Sequence, residues 1–129
     1  MRDLPEIGKE YPWQEVLEIA RDHEISYVIS TLENYPLPEK PFISDGCSGW
    51  CPDDWAGHDI YHLCAKHDMK YWCGLPGDYI GRLNADAELM IDIAEVTGDV
   101  RFAVMVFNAV HLGGGSERNK SYSWGFGRR

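Results

Sequence analysis

The stretch Cys64-Ala65-Lys66-His67-Asp68-Met69-Lys70-Tyr71 decides how this chain reads. It lies within a longer run, His58 to about Trp72, that contains neither proline nor glycine and is stopped by Gly74 and Pro76. That pattern predicts a long helix. On such a helix Cys64, His67 and Tyr71 share one face, with Asp68 about a quarter-turn from His67. A proton acceptor therefore stands next to a carboxylate. A second long helix is predicted from about Ile80 to Val96, with Leu83, Ala87, Met90 and Ala94 on one stripe and Gly98 at its end. A third, apolar helix spans Val100 to Leu112 and is closed by Gly113-Gly114-Gly115.

Upstream, Pro12, Trp13, Val16, Leu17, Ile19 and Ala20 predict a short amphipathic helix with proline in its first turn, ending before His23. Ser26 to Leu32 leaves helix and strand open. The segment Tyr35-Pro36-Leu37-Pro38-Glu39-Lys40-Pro41 must be extended. Phe42 to Gly57 then reads as a long loop, a length that small domains keep when the loop is functional or tied down. The expected architecture is one mainly α domain over residues 1–129, with two long antiparallel helices joined to a loop and further short helices.

The chain has 129 residues, enough for one ordinary domain. With 44% hydrophobic and 26% charged residues it has a globular composition. A formal net charge of −9 argues against nucleic acid, whose phosphates need a basic face, and against docking on anionic lipid. Residues 101–129 hold Arg101, Arg118, Lys120, Arg128 and Arg129 against Glu117 alone, so the basic end should pack as a solvated tail on an acidic body. No stretch approaches the ~18–20 apolar residues of a membrane span. The start, MRDLPEIGKEYPW, has no apolar region of the secretory kind, so a soluble protein without a signal peptide is expected.

Cys47, Cys51, Cys64 and Cys73 allow three full disulfide connectivities, and the spacing does not choose among them. Zinc is the competing reading, with His58, His62 and His67 near enough to complete a mixed site. Taken alone, His58 and His62 are polar residues at a helix start whose dipole Asp59 complements, and His23 and His111 are ordinary. Asp53, Asp54 and Asp59 form an acidic turn rather than a metal cluster. Asp86 beside Arg82 reads as an i, i+4 surface pair.

The C-x-x-H-D-x-x-Y pattern, preceded by Asp45-Gly46-Cys47-Ser48, resembles the phospholipase A2 superfamily, its small bacterial and fungal branch in particular. The likeness covers about residues 42–95. It implies a Cys47–Cys64 bridge that tethers a metal loop to the first long helix, with Cys51 and Cys73 left over. It also implies His67 as general base, Asp86 as its partner on the second helix, and Tyr71 as a hydrogen-bonding orienter of Asp86. Calcium is the implied cofactor, held by the Asp68 carboxylate, by loop carbonyls near Gly46 and Ser48, and by Asp45. The substrate would be a glycerophospholipid. Trp50, Trp55 and Trp72, with Tyr61 and Tyr79, read equally as an aromatic lip for a lipid interface and as packing of the long loop on the helices. Phospholipid binding or protein binding without catalysis on the same fold, and a small zinc-stabilised Cys/His domain, are the alternatives. A disulfide would place the protein in a secreted or periplasmic setting, and its absence in the cytoplasm.

Overall fold

Five α-helices carry most of the described chain in the computed structural model, which describes residues 1–46, 54–55, 57–115, 120 and 122–129. Helix α1 (Trp13–Asp22) begins straight after Pro12, whose carbonyl accepts from the amides of Glu15 and Val16 at 3.0 and 3.1 Å. Proline suits this place because its missing N–H would be an orphan there in any case. Ser26–Asn34 is helix α2, which settles the open reading of that segment. Its Thr31 hydroxyl donates to the Tyr27 carbonyl one turn back, so a β-branched polar residue is buried at no loss of a hydrogen bond.

Two short strands lie among the described residues of 42–57. Strand β2 (Phe42–Ile43) pairs antiparallel with β1 (Glu10–Tyr11), and β3 (Asp54–Trp55) with β4 (His58–Asp59). The first long helix, α3 (Tyr61–Cys73), consequently starts three residues later than its composition predicts. His58 and Asp59 belong to β4, not to a helix start, so His58 and His62 are not one helical turn apart. Asp59 still serves that end of the helix, its carboxylate accepting from the Tyr61 amide at 3.0 Å.

Helix α4 (Tyr79–Thr97) is capped by Asp78, which accepts from the Gly81 amide at 2.9 Å, and ends at Gly98 with φ 72°. That left-handed conformation favours glycine, because it carries no Cβ to clash. Helix α5 (Val100–Gly113) follows at once, capped by Asp99 through the Phe102 amide. The buried stripe of α4 is Ala85, Asp86, Leu89 and Ile93, the last three each one position before Ala87, Met90 and Ala94 of the predicted stripe. Leu83 is exposed, and Met90 and Ala94 are only partly buried. A carboxylate inside the stripe displaced the apolar periodicity.

Helix α3 lies between two cores. On one side Met69, Trp72 and Cys73 pack with α1, α2 and Phe42; on the other Leu63 and Cys64 pack with Leu89, Ile93 and the apolar face of α5. The tail closes over the first core with the 3-10 turn Phe126–Arg128. Arg128 donates to the carbonyls of Cys73 and Pro36, and Arg129 to those of Ser123 and Trp124. Among the described residues no helix is long and apolar enough to cross a membrane.

Candidate active site

Asp86 has no exposed surface, yet it is a carboxylate in the interior. Burying such a charge is costly unless hydrogen-bond donors surround it. Three do. His67 Nε2 lies 2.8 Å from Oδ1, the Tyr71 hydroxyl donates to the same oxygen at 2.7 Å, and His111 Nδ1 lies 2.9 Å from Oδ2. Burial alone would push Asp86 up, but the hydrogen bond and charge of His67, with the donors Tyr71 and His111, hold it below the ordinary carboxylate value. Burial, followed by the Asp86 charge and hydrogen bond, pushes the Tyr71 phenol up, so Tyr71 stays a donor.

An ionised carboxylate only accepts, so His67 presents N–H at Nε2, and the lone pair of the neutral ring is at Nδ1. No described residue bonds Nδ1. The His67 ring is buried at its back and stacks obliquely on Tyr71, centroids 4.4 Å apart. Its other side lines a cleft shared with Gly46, Cys64, Asp68, Leu89 and Gly114, with about 50 Å³ open to water-sized occupants. One water needs roughly 10–15 Å³ by that measure. The arrangement is an imidazole with its N–H fixed on a buried carboxylate and room for water beside it.

Asp68 stands on the next position of α3, against the loop after β2. Its Oδ2 accepts from the Ser44 hydroxyl at 3.0 Å, and Ser44 in turn accepts from the Gly46 amide at 3.1 Å. Asp45 faces it with both backbone amide and carboxyl. Desolvation first, and the neighbouring Asp45 charge second, push Asp68 well above the ordinary carboxylate value. A second groove of about 370 Å³ opens here, lined by Lys40, Pro41, Ile43, Asp45 and Phe126, and it meets the first at Asp68 and Tyr122.

Of the seven residues singled out for the site, six fall into this region: His67, Asp86, Tyr71, Asp68, Asp45 and Gly46. Ser48 lies outside the described residues, as do Cys47, Cys51, Trp50 and Asp53. Asp45 and Asp68 are two hard-oxygen carboxylates beside the Gly46 backbone, a donor chemistry that suits calcium. Among the described residues no group of three or more His, Cys, Asp or Glu side chains could hold a metal ion. Cys64 is not a free thiol, whereas Cys73 is one, buried and pushed up to about 12 by that burial. Cys73 therefore does not pair with Cys51. Cys64 and Cys73 also face different cores, so they do not converge on one zinc ion.

Two further readings are decided. Asp86 is no surface partner of Arg82, whose guanidinium donates to the His111 carbonyl. Trp72 is fully buried against Phe42, and Trp55 stacks on Phe102 at 4.0 Å, so neither joins an exposed aromatic lip. Burial of these large rings against helices outweighs leaving them in water. Tyr79 is 76% exposed and Tyr61 half-buried. Two residues of this cluster escaped the sequence reading, His111 and Ser44. His111 carries a faint signal, one polar ring in the last turn of an apolar helix; Ser44 carries none. No family model, curated protein or solved structure matches the chain.

Proposed function

We propose that the protein hydrolyses the acyl ester of a glycerophospholipid with an activated water, in a calcium-dependent reaction of the phospholipase A2 type. The observation that carries this reading is the His67–Asp86–Tyr71 constellation beside a cleft that admits water. His67 Nδ1 would take a proton from the water as its oxygen attacks the ester carbonyl. Asp86 would hold the ring in the Nε2–H tautomer and stabilise the imidazolium that forms. The proton would then pass from His67 to the departing glycerol oxygen, which releases fatty acid and lysolipid with no covalent enzyme intermediate. Calcium, when bound by Asp68, Asp45 and the loop near Gly46 and Ser48, would supply Lewis-acid stabilisation of the developing oxyanion. The like-charge pair Asp45–Asp68 supports a cation there, since a cation would relieve what pushes Asp68 up. A Cys47–Cys64 bridge would tether that loop to α3. The groove with Pro41, Ile43 and Phe126 offers apolar wall for a chain, with Lys40 beside it.

The test is fatty-acid release from a mixed-acyl phosphatidylcholine in excess calcium and then in chelator. Release that needs calcium and comes from one acyl position supports the reading. No release in either condition from folded protein defeats it in favour of a binding module.

A further inference from the structure

Asp86 has a second oxygen, and a second histidine, His111, partly exposed, is on it. Helix α5 places His111 Nδ1 2.9 Å from Asp86 Oδ2, while Oδ1 serves His67 and Tyr71. Since the carboxylate only accepts, Nδ1 carries the proton and donates. The ring is fixed on two further sides. It stacks on Phe107 one turn earlier, centroids 5.2 Å apart and planes within 9°, and the Arg82 guanidinium from α4 holds its backbone carbonyl. A carboxylate can rotate about its terminal torsion with little penalty, because that torsion is broad. Donors on Oδ1 alone leave that rotation to two groups on one oxygen; a donor on Oδ2 pins the plane.

We propose that His111 is a positioning residue for the reaction: through Asp86 Oδ2 it fixes the carboxylate plane that presents Oδ1 to His67, and thereby holds His67 in the tautomer a base requires. His111 touches neither the water nor the ester. The catalytic part of this inference rests on the esterase reading, but the tautomer does not.

The experiment compares the full-length wild type with His111→Asn, whose amide N–H can take the place of Nδ1–H, and His111→Leu, which has no donor. Ring nitrogen resonances in protein labelled with 15N-histidine report the His67 tautomer, and steady-state hydrolysis of a mixed-acyl phosphatidylcholine reports kcat and KM. In wild type and H111N the His67 ring should be wholly Nε2–H. H111L should show a mixture of tautomers, with kcat lower by about 10–100-fold, the usual effect of losing an outer hydrogen-bond partner, and KM unchanged. A single unchanged tautomer in folded H111L overturns the proposal. So does a mixed tautomer in folded H111N, which also decides the matter should H111L fail to fold. A wild type that hydrolyses nothing yet shows this tautomer pattern defeats the esterase reading and leaves the positioning role standing.

Discussion

Asp86 and Asp68 sit on neighbouring helices in one site, and their surroundings are opposite. Asp86 meets three donors and is held below the ordinary carboxylate value; Asp68 meets a hydroxyl, a backbone amide and a second carboxylate, and is pushed above it. The first carboxylate is completed by side chains from α3, α4 and α5. The second faces a like charge across the loop after β2. The difference separates what the chain stabilises by itself from what it leaves to a cation in the proposed reaction.

Removing the completed half should have the largest effect. Asp86→Ala leaves the donors of His67, Tyr71 and His111 without their acceptor. Leaving a buried donor without its acceptor in this way costs about 1–3 kcal/mol for each one that stays dry. Urea unfolding would read it as a lower midpoint, and an unchanged midpoint would show that the three hydrogen bonds contribute nothing net.

The two carboxylates also give stability opposite dependences on pH. Asp86 has a lowered value in the fold, so its contribution is present above the unfolded carboxylate value of about 3.9 and is lost as pH falls through the folded one. Asp68 has a raised value, so in metal-free protein its contribution is present at low pH and is lost as pH rises through the folded value. Asp68→Asn should remove the second loss and leave the first. Thermal unfolding across acidic to neutral pH in chelator checks it; parallel curves for wild type and variant would break the contrast.

How far this contrast was legible in the sequence follows from distance along the chain. The helix with His67, Asp68 and Tyr71 was readable because an unbroken run and a local i, i+3, i+7 spacing place those residues. Asp86 as the partner came only from the family resemblance; its local setting beside Arg82 pointed to a surface pair. His111 was not readable, since its link to Asp86 spans two helices packed side by side and leaves no mark in local periodicity. Ser44 escaped for the same reason, joining Asp68 across 24 residues. The start of α3 was misplaced because the β3–β4 pairing takes His58 and Asp59, and two-residue strands carry almost no pattern.

A smaller effect tests how tightly the completed half is packed. A Cβ on Gly114 would come 2.7 Å from Tyr71 Cε2, 2.7 Å from the Val110 carbonyl oxygen and 2.9 Å from the Tyr71 hydroxyl. Gly114 has φ −97°, so backbone strain does not enter. Gly114→Ala should therefore cost about 1–3 kcal/mol by overpacking and weaken the Tyr71–Asp86 hydrogen bond. The denaturation midpoint checks it, and a neutral result would mean that the Tyr71 ring and the end of α5 both shift without penalty.

The central claim is that His67 acts as the base on a phospholipid ester, and acyl release by His67→Ala beside wild type tests it most directly. With calcium present and both proteins shown to be folded by circular dichroism, release should fall by about 10²–10⁴-fold, the usual contribution of a positioned base. Release by His67→Ala at the wild-type rate would contradict the account.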